Sequence, residues 1–209
     1  MLLALFPLQL ALFPGQELPL HIFEPRYKQL IVECRDEGIT FGIPPVGDDG
    51  LSRVGTEVSL VRILETFDTG EMDIIVRGER VFWIDEFQTT VPDKLYSAGT
   101  VTFPTNDPVV DAETEKRLIE RFDELERLAS KDSTTPTETV ENLSFLLGAR
   151  VGLSLTQRIE MLRMLKESER QTFLLDHIDK TIQVLKRRRT EGTTLGRGNG
   201  NGHARHFGD

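Results

Sequence analysis

Apolar and polar residues alternate at Leu18, Leu20 and Ile22, the two-residue period of a strand with one buried face. Glu24-Pro25 breaks the alternation. Proline suits the first position of a helix, where its missing N–H costs nothing. Tyr27, Leu30, Ile31 and Cys34 then follow at helical spacing, and Gly38 supplies a stop. Upstream, Pro14-Gly15 is a turn dipeptide, with proline fixing φ and glycine free to take φ > 0. Residues 13–27 therefore predict a turn, a strand, a sharp corner and a helix start in one short stretch.

Residues 56–103 keep the short period. Ile39–Ile43 is a short strand closed by Pro44-Pro45, and 47–50 is a loop. Thr56–Phe67 is rich in β-branched residues, Asp68-Thr69-Gly70 is a hairpin turn, and Met72–Arg77 returns from it. Gly78 permits a bulge or bend, and Glu79–Phe87 and Tyr96–Phe103 are further strands. Bulky groups fall on both faces of 79–87, with Val81 and Trp83 on one and Phe82 and Ile84 on the other. Both faces of a barrel wall are covered in that way.

After Pro104–Pro108 the period lengthens. Asp111 caps a helix with the stripe Leu118, Phe122, Leu125 and Leu128. Ser130–Pro136 is a linker. Val140, Leu143, Leu146 and Leu147 mark a second helix. A third, capped by Thr156, carries Ile159, Leu162, Met164 and Leu165. Leu174, Ile178, Ile182 and Leu185 line a fourth. The expected fold is α+β: a small β-barrel with one early helix over 1–104, a helical bundle over 109–187, and a disordered, basic, glycine-rich tail over 188–209.

Charge narrows the partners. The net charge is -9, but residues 186–209 hold six basic and two acidic side chains, a net of +4, so the other 185 residues carry -13. A body of that sign does not suit nucleic acid, whose electrostatic footprint on a protein is basic. A hydrophobic content of 38% supports a core, and no apolar run approaches the ~20 residues a membrane helix needs. The apolar start lacks a basic leader and carries Pro7, so an N-terminal strand and a cytoplasmic protein are expected, with no membrane partner. The single cysteine excludes an internal disulfide framework.

Chemistry-bearing motifs are few. Gly-Lys does not occur, which removes the phosphate-cradling P-loop. Gly152-Leu-Ser154-Leu-Thr156 falls short of a nucleophile elbow and reads as a helix-capping loop. His203 and His206 stand three apart in the tail without further ligands, so no metal or cofactor is expected. His177 reads as a satisfied boundary residue, and Cys34 as a small buried hydrophobe. Glu24 and Arg26 read as an ion pair or a binding pair. Lys186–Arg189 reads as a basic helix end.

The quoted corner also carries a likeness. Phe6-Pro7-Leu8, Phe13-Pro14-Gly15, Leu18-Pro19-Leu20 and His21-Ile22-Phe23-Glu24-Pro25-Arg26-Tyr27 resemble the N-terminal substrate-binding domain of Lon proteases. The last of these is most like the stand-alone bacterial members. Phe41-Gly42-Ile43, Gly55-Thr56, Arg62-Ile63-Leu64, Gly70, the run Ile75–Phe82 and the helical Leu143–Leu147 and Leu155–Leu165 extend the resemblance over about 1–187. It implies a PUA-like barrel followed by helices, and recognition of unfolded or client polypeptide. The ATPase and protease modules of full Lon have no counterpart in these residues, so a non-enzymatic binding protein, working with client segments or with protease machinery, is expected. Phe23, Glu24, Arg26, Tyr27 and Phe41 are the candidate polypeptide-binding residues. Two alternatives remain open: RNA binding through the barrel and basic tail, and a small ligand at the barrel–helix junction with Trp83 as the aromatic wall.

Overall fold

The structure, a computed structural model, describes residues 1–129 and 142–196, the last six by backbone alone. The expected linker, Val140, His203 and His206 lie outside the described residues. The elements run β1 (Leu2–Leu5), β2 (Glu17–Ile22), α1 (Pro25–Glu37), β3 (Phe41–Ile43), β4 (Val46–Gly47), β5 (Gly50–Leu51), β6 (Val54–Thr66), β7 (Met72–Gln88), β8 (Ser97–Thr102), α2 (Ala112–Leu128), α3 (Leu143–Gly148), α4 (Leu155–Arg163) and α5 (Glu167–Gly196). Among the described residues no helix is long and apolar enough to cross a membrane.

Strand β7 organises the sheet. Met72–Arg77 and Glu79–Phe87, expected as two strands, are one strand of 17 residues with a bulge beside Gly78. Its first part pairs β2 on one side and β6 on the other, and its last part pairs β8. The order is β2-β7-β6-β3-β1-β8, and the β7–β8 pairing closes five of the six strands into a ring. Only β1 and β3 run parallel, so the sheet is mixed. The hairpin turn forms where its residues place it, with Gly70 at φ 75 and the Phe67 N–H donating to the Glu71 carbonyl at 2.9 Å.

The loop 11–16 ties the ring to the helices. The Gly15 N–H donates to the Gly78 carbonyl (2.8 Å) and the Gly78 N–H to the Gln16 carbonyl (2.9 Å). Phe13, fully buried, leaves the sheet and stacks on Phe145 of α3 at 5.2 Å between centroids. From α4, Arg158 donates to the Ala11 carbonyl (2.7 Å) and to Gln16 Oε1 (2.8 Å), with its guanidinium over the Phe13 ring. The helical core thus contains Ala11, Phe13 and Val54 from the sheet half beside Leu118, Phe122 and Ile178. A second core lies between α1 and the sheet, and includes Tyr27, Leu30, Ile31 and Cys34. Burial pushes the Cys34 thiol up to about 12, which keeps it protonated at neutral pH.

A buried ion pair holds the helices. Arg170 and Glu167, at 1% and 3% exposure, meet at 2.7 Å. Arg170 also donates to Ser144 Oγ (2.9 Å), the Met164 carbonyl (2.7 Å) and Asn106 Oδ1 (2.8 Å). Glu167 accepts from the Ser144 N–H (2.8 Å), the Ser144 hydroxyl (2.7 Å) and Gln171 (3.1 Å).

Three expectations need correction. Helix α4 is capped by Ser154, not Thr156: the Ser154 hydroxyl accepts the Gln157 N–H at 3.3 Å and Gln157 Oε1 accepts the Ser154 N–H at 3.0 Å, a reciprocal capping box. Its last residue is Arg163, so Met164 and Leu165 lie beyond it. Helix α5 continues past 187 to Gly196, so residues 188–196 are helical and Lys186–Arg189 do not end a helix. Lys186 pairs with Glu124 at 2.7 Å and Arg189 donates to the Leu128 carbonyl at 2.7 Å, fastening this part of α5 to α2.

Candidate functional site

The corner at the end of β2 leaves an aromatic group in solvent. Side chains in a strand alternate between faces. Ile22 points into the core at 1% exposure, and His21 is exposed on the opposite face. Phe23 follows outward and is 58% exposed, because Pro25 then turns the chain into α1. The hairpin tip meets this corner from the other side. Phe67, 36% exposed, closes β6 just before the turn, and Lys28 of α1 donates to the Thr69 carbonyl at 2.9 Å. The His21 ring lies 6.1 Å from Phe23 and 6.1 Å from Phe67, so one imidazole joins two exposed phenyl rings. Asp73 Oδ1 sits 2.7 Å from His21 Nδ1, and Glu71 Oε2 3.7 Å from Nε2.

Open backbone flanks the corner. Among the described residues strand β2 pairs only β7, and its other edge is free, with Pro19 offering no N–H there. Strand β6 pairs β3 only through Thr56–Val58, so from Ser59 onward its far edge is also unpaired among the described residues. Two register shifts in the β6–β7 ladder leave Val61 and Leu64 without a cross-strand partner. Both are exposed, Leu64 at 55%. Phe23, Phe67, Leu64 and Val61 are therefore apolar side chains held in water beside strand edges that can accept another strand.

The structure brings together only part of the expected set. Phe23 stands in the open. Glu24 and Arg26 flank it and pair with each other at 2.8 Å, with Arg26 also over the Tyr27 ring. Tyr27 and Phe41 are not surface groups. Tyr27 is 4% exposed and stacks on Phe6 at 3.6 Å, and Phe41 is fully buried in the same core. The reason is geometric. Tyr27 begins the inward stripe of α1, and β3 lies in the interior of the sheet between β1 and β6. Burial raises the Tyr27 phenol above its ordinary value, against the opposing charge of Arg26. His21, Val61, Leu64 and Phe67 were missed as site residues. Phe67 had a signal, an aromatic immediately before a hairpin turn, but the bulges that turn out Val61 and Leu64 have none.

Trp83 is 43% exposed, not a core residue. It lines an open concavity of about 580 Å³ with Arg53, Val54, Ile84, Asp85 and Arg163. The junction of sheet and helices was expected to hold such a wall, and α4 supplies Arg163 to it. His177 has both ring nitrogens in contact, with Gln157 at 3.2 Å and the Val151 carbonyl at 3.1 Å. Among the described residues no group of three or more His, Cys, Asp or Glu is arranged to hold a metal.

A family model described as the ATP-dependent protease La (LON) substrate-binding domain matches residues 3–180. The chain belongs to this family. A Lon N-terminal domain protein from Xanthomonas campestris, known from its crystal structure, is 26% identical with a TM-score of 0.66, over 84% of this chain and 98% of that one. The N-terminal domain of a Mycobacterium avium complex Lon protease has the same TM-score of 0.66 at 18% identity, over 86% of this chain and 98% of that one. That second likeness concerns the fold alone. No curated protein matches the chain. The family match covers the corner, both open edges and the helical half as far as residue 180 in α5, so substrate recognition is the role its family description carries.

Proposed function

We propose that this protein binds extended segments of unfolded or partly folded polypeptide at the Phe23–Phe67 corner, and performs no chemistry on them. The observation that carries the reading is the pair of exposed phenyl rings on either side of His21, beside two unpaired strand edges. An extended client segment satisfies its backbone by pairing with the free edge of β6. An apolar client side chain gains by covering Phe23 and Phe67, roughly 25 cal/mol for each Å² of apolar surface removed from water. Glu71 and Asp73 favour a basic client residue next to the apolar one, and the acidic body repels nucleic acid. The family's description as a substrate-binding domain supports the same reading.

The test is a titration with a reduced, carboxymethylated protein that stays unfolded in buffer. Wild type binds it with an affinity in the micromolar range. The double variant Phe23→Ser/Phe67→Ser binds at least about tenfold more weakly, because exposed aromatic anchors carry most of an interface's energy. Its melting temperature falls by only a few degrees, since Phe23 is 58% exposed and Phe67 36% and neither belongs to the buried core. Equal binding by the two proteins removes the reading.

A further inference from the structure

A second site stands apart from the corner, where the sheet meets α4. We propose that the Trp83 concavity binds a carboxylate carried next to a flat apolar group. The floor is apolar: Val54 is 3% exposed and Ile84 6%. Trp83 rises from it with 43% of its surface in solvent, although the next residue back along the strand, Phe82, is fully buried. A large indole left half in water offers a stacking face and a free N–H.

Two guanidiniums from separate elements line the same space. Arg53 precedes β6, and its carbonyl accepts the Ile84 N–H at 2.7 Å, which fixes the chain at that point. Arg163 is the last residue of α4. Neither has an ion-pair or hydrogen-bond partner for its side chain among the described residues. On a chain whose first 185 residues carry -13, two arginines without an ion-pair partner in one hollow are unusual. Arginine's planar fork takes a carboxylate through two parallel hydrogen bonds.

The charge balance chooses among anions. Asp85 also lines the hollow, its Oδ2 accepting from the Thr102 hydroxyl at 2.6 Å. Two positive groups and one negative leave a single net positive charge. That suits a monoanionic carboxylate, and Asp85 repels the second charge of a phosphate. The volume of about 580 Å³ accommodates a group as large as an aromatic side chain with its neighbouring carboxylate. The ligand is either the C-terminus of a polypeptide ending in an aromatic residue or a free aromatic acid. Neither source depends on binding at the Phe23–Phe67 corner.

Trp83 is the one tryptophan in the chain, so its emission reports this hollow alone. The probes are N-acetyl-phenylalanine, its amide, and a ten-residue peptide ending in phenylalanine with a free or an amidated terminus. The acids change Trp83 emission saturably, and the amides bind at least about tenfold more weakly, the loss expected when charge-assisted hydrogen bonds are removed. Arg53→Gln and Arg163→Gln each weaken the acids about fivefold or more. Phe23→Ser leaves these titrations unchanged, which keeps the outcome separate from that of the corner. A peptide acid that binds tighter than N-acetyl-phenylalanine points to chain termini, and equal affinity points to a free acid. Acid and amide binding alike, arginine variants binding like wild type, or no saturable change up to ~10 mM overturns the proposal.

Discussion

Arg170→Met lowers the unfolding free energy by about 3–5 kcal/mol, the usual cost of stranding one partner of a buried ion pair. The stranded group is Glu167. At 3% exposure it keeps the Ser144 and Gln171 hydrogen bonds but loses the cation 2.7 Å away. The substitution also frees the Met164 carbonyl and Asn106 Oδ1, which Arg170 now holds between the 104–107 segment, α3 and the start of α5. Arg170 lies over the Phe145 ring at 4.3 Å, and Phe145 stacks on Phe13, so the loss reaches the seam between helices and sheet. Urea denaturation followed by circular dichroism measures it. The double variant Glu167→Gln/Arg170→Met recovers part of the loss, because no isolated charge remains buried. A loss under about 1 kcal/mol in the single variant contradicts the network's role.

Gly78→Ala has the second largest effect, about 3 kcal/mol. A Cβ at position 78 would stand 2.4 Å from the Phe13 carbonyl oxygen and 3.2 Å from Thr56 Cγ2. The first of these is backbone and cannot rotate away. Loop 13–16 must move, and the two hydrogen bonds that fasten it to Gly78 weaken as it does. Overpacking costs about 1–3 kcal/mol, and each hydrogen bond about 1 kcal/mol. For a chain of this size the melting temperature falls by about 6–12 °C. Gly15→Ala is the control. Its Cβ meets nothing within 4 Å, and its φ of 81 alone costs about 1–2 kcal/mol.

Much of the fold was legible where a local rule suffices. The alternation at Leu18, Leu20 and Ile22 became β2, and Pro25 opened α1. Gly38 caps α1 in the left-handed region, and Asp111 accepts the Thr114 N–H at the start of α2. Where a position depends on a distant partner, the pattern was silent. Arg170 sits on a helix like any surface arginine, and only the meeting of α3, α5 and the 104–107 segment buries it. Val61 and Leu64 read as ordinary strand residues, because a bulge is a property of two strands paired together. Tyr27 already stood in the apolar stripe of α1 and Phe41 in a short apolar strand, and the structure buries both, as those positions favour. Trp83 stands between the buried Phe82 and Ile84, and the register leaves it outside, in the hollow at the junction where an aromatic wall was expected. Of the expected polypeptide-binding residues, Phe23, Glu24 and Arg26 reach the surface together, since all three lie within one corner that the local sequence does specify.

Hydrogen exchange with and without a saturating unfolded polypeptide tests the central claim most directly. Binding at the corner slows exchange in His21–Glu24, in Ser59–Thr66 along the free edge of β6, and at the hairpin tip Phe67–Asp73. The central strand β3, already paired on both sides, keeps its rate. Protection confined to other surfaces, or none at polypeptide concentrations that saturate binding, contradicts it.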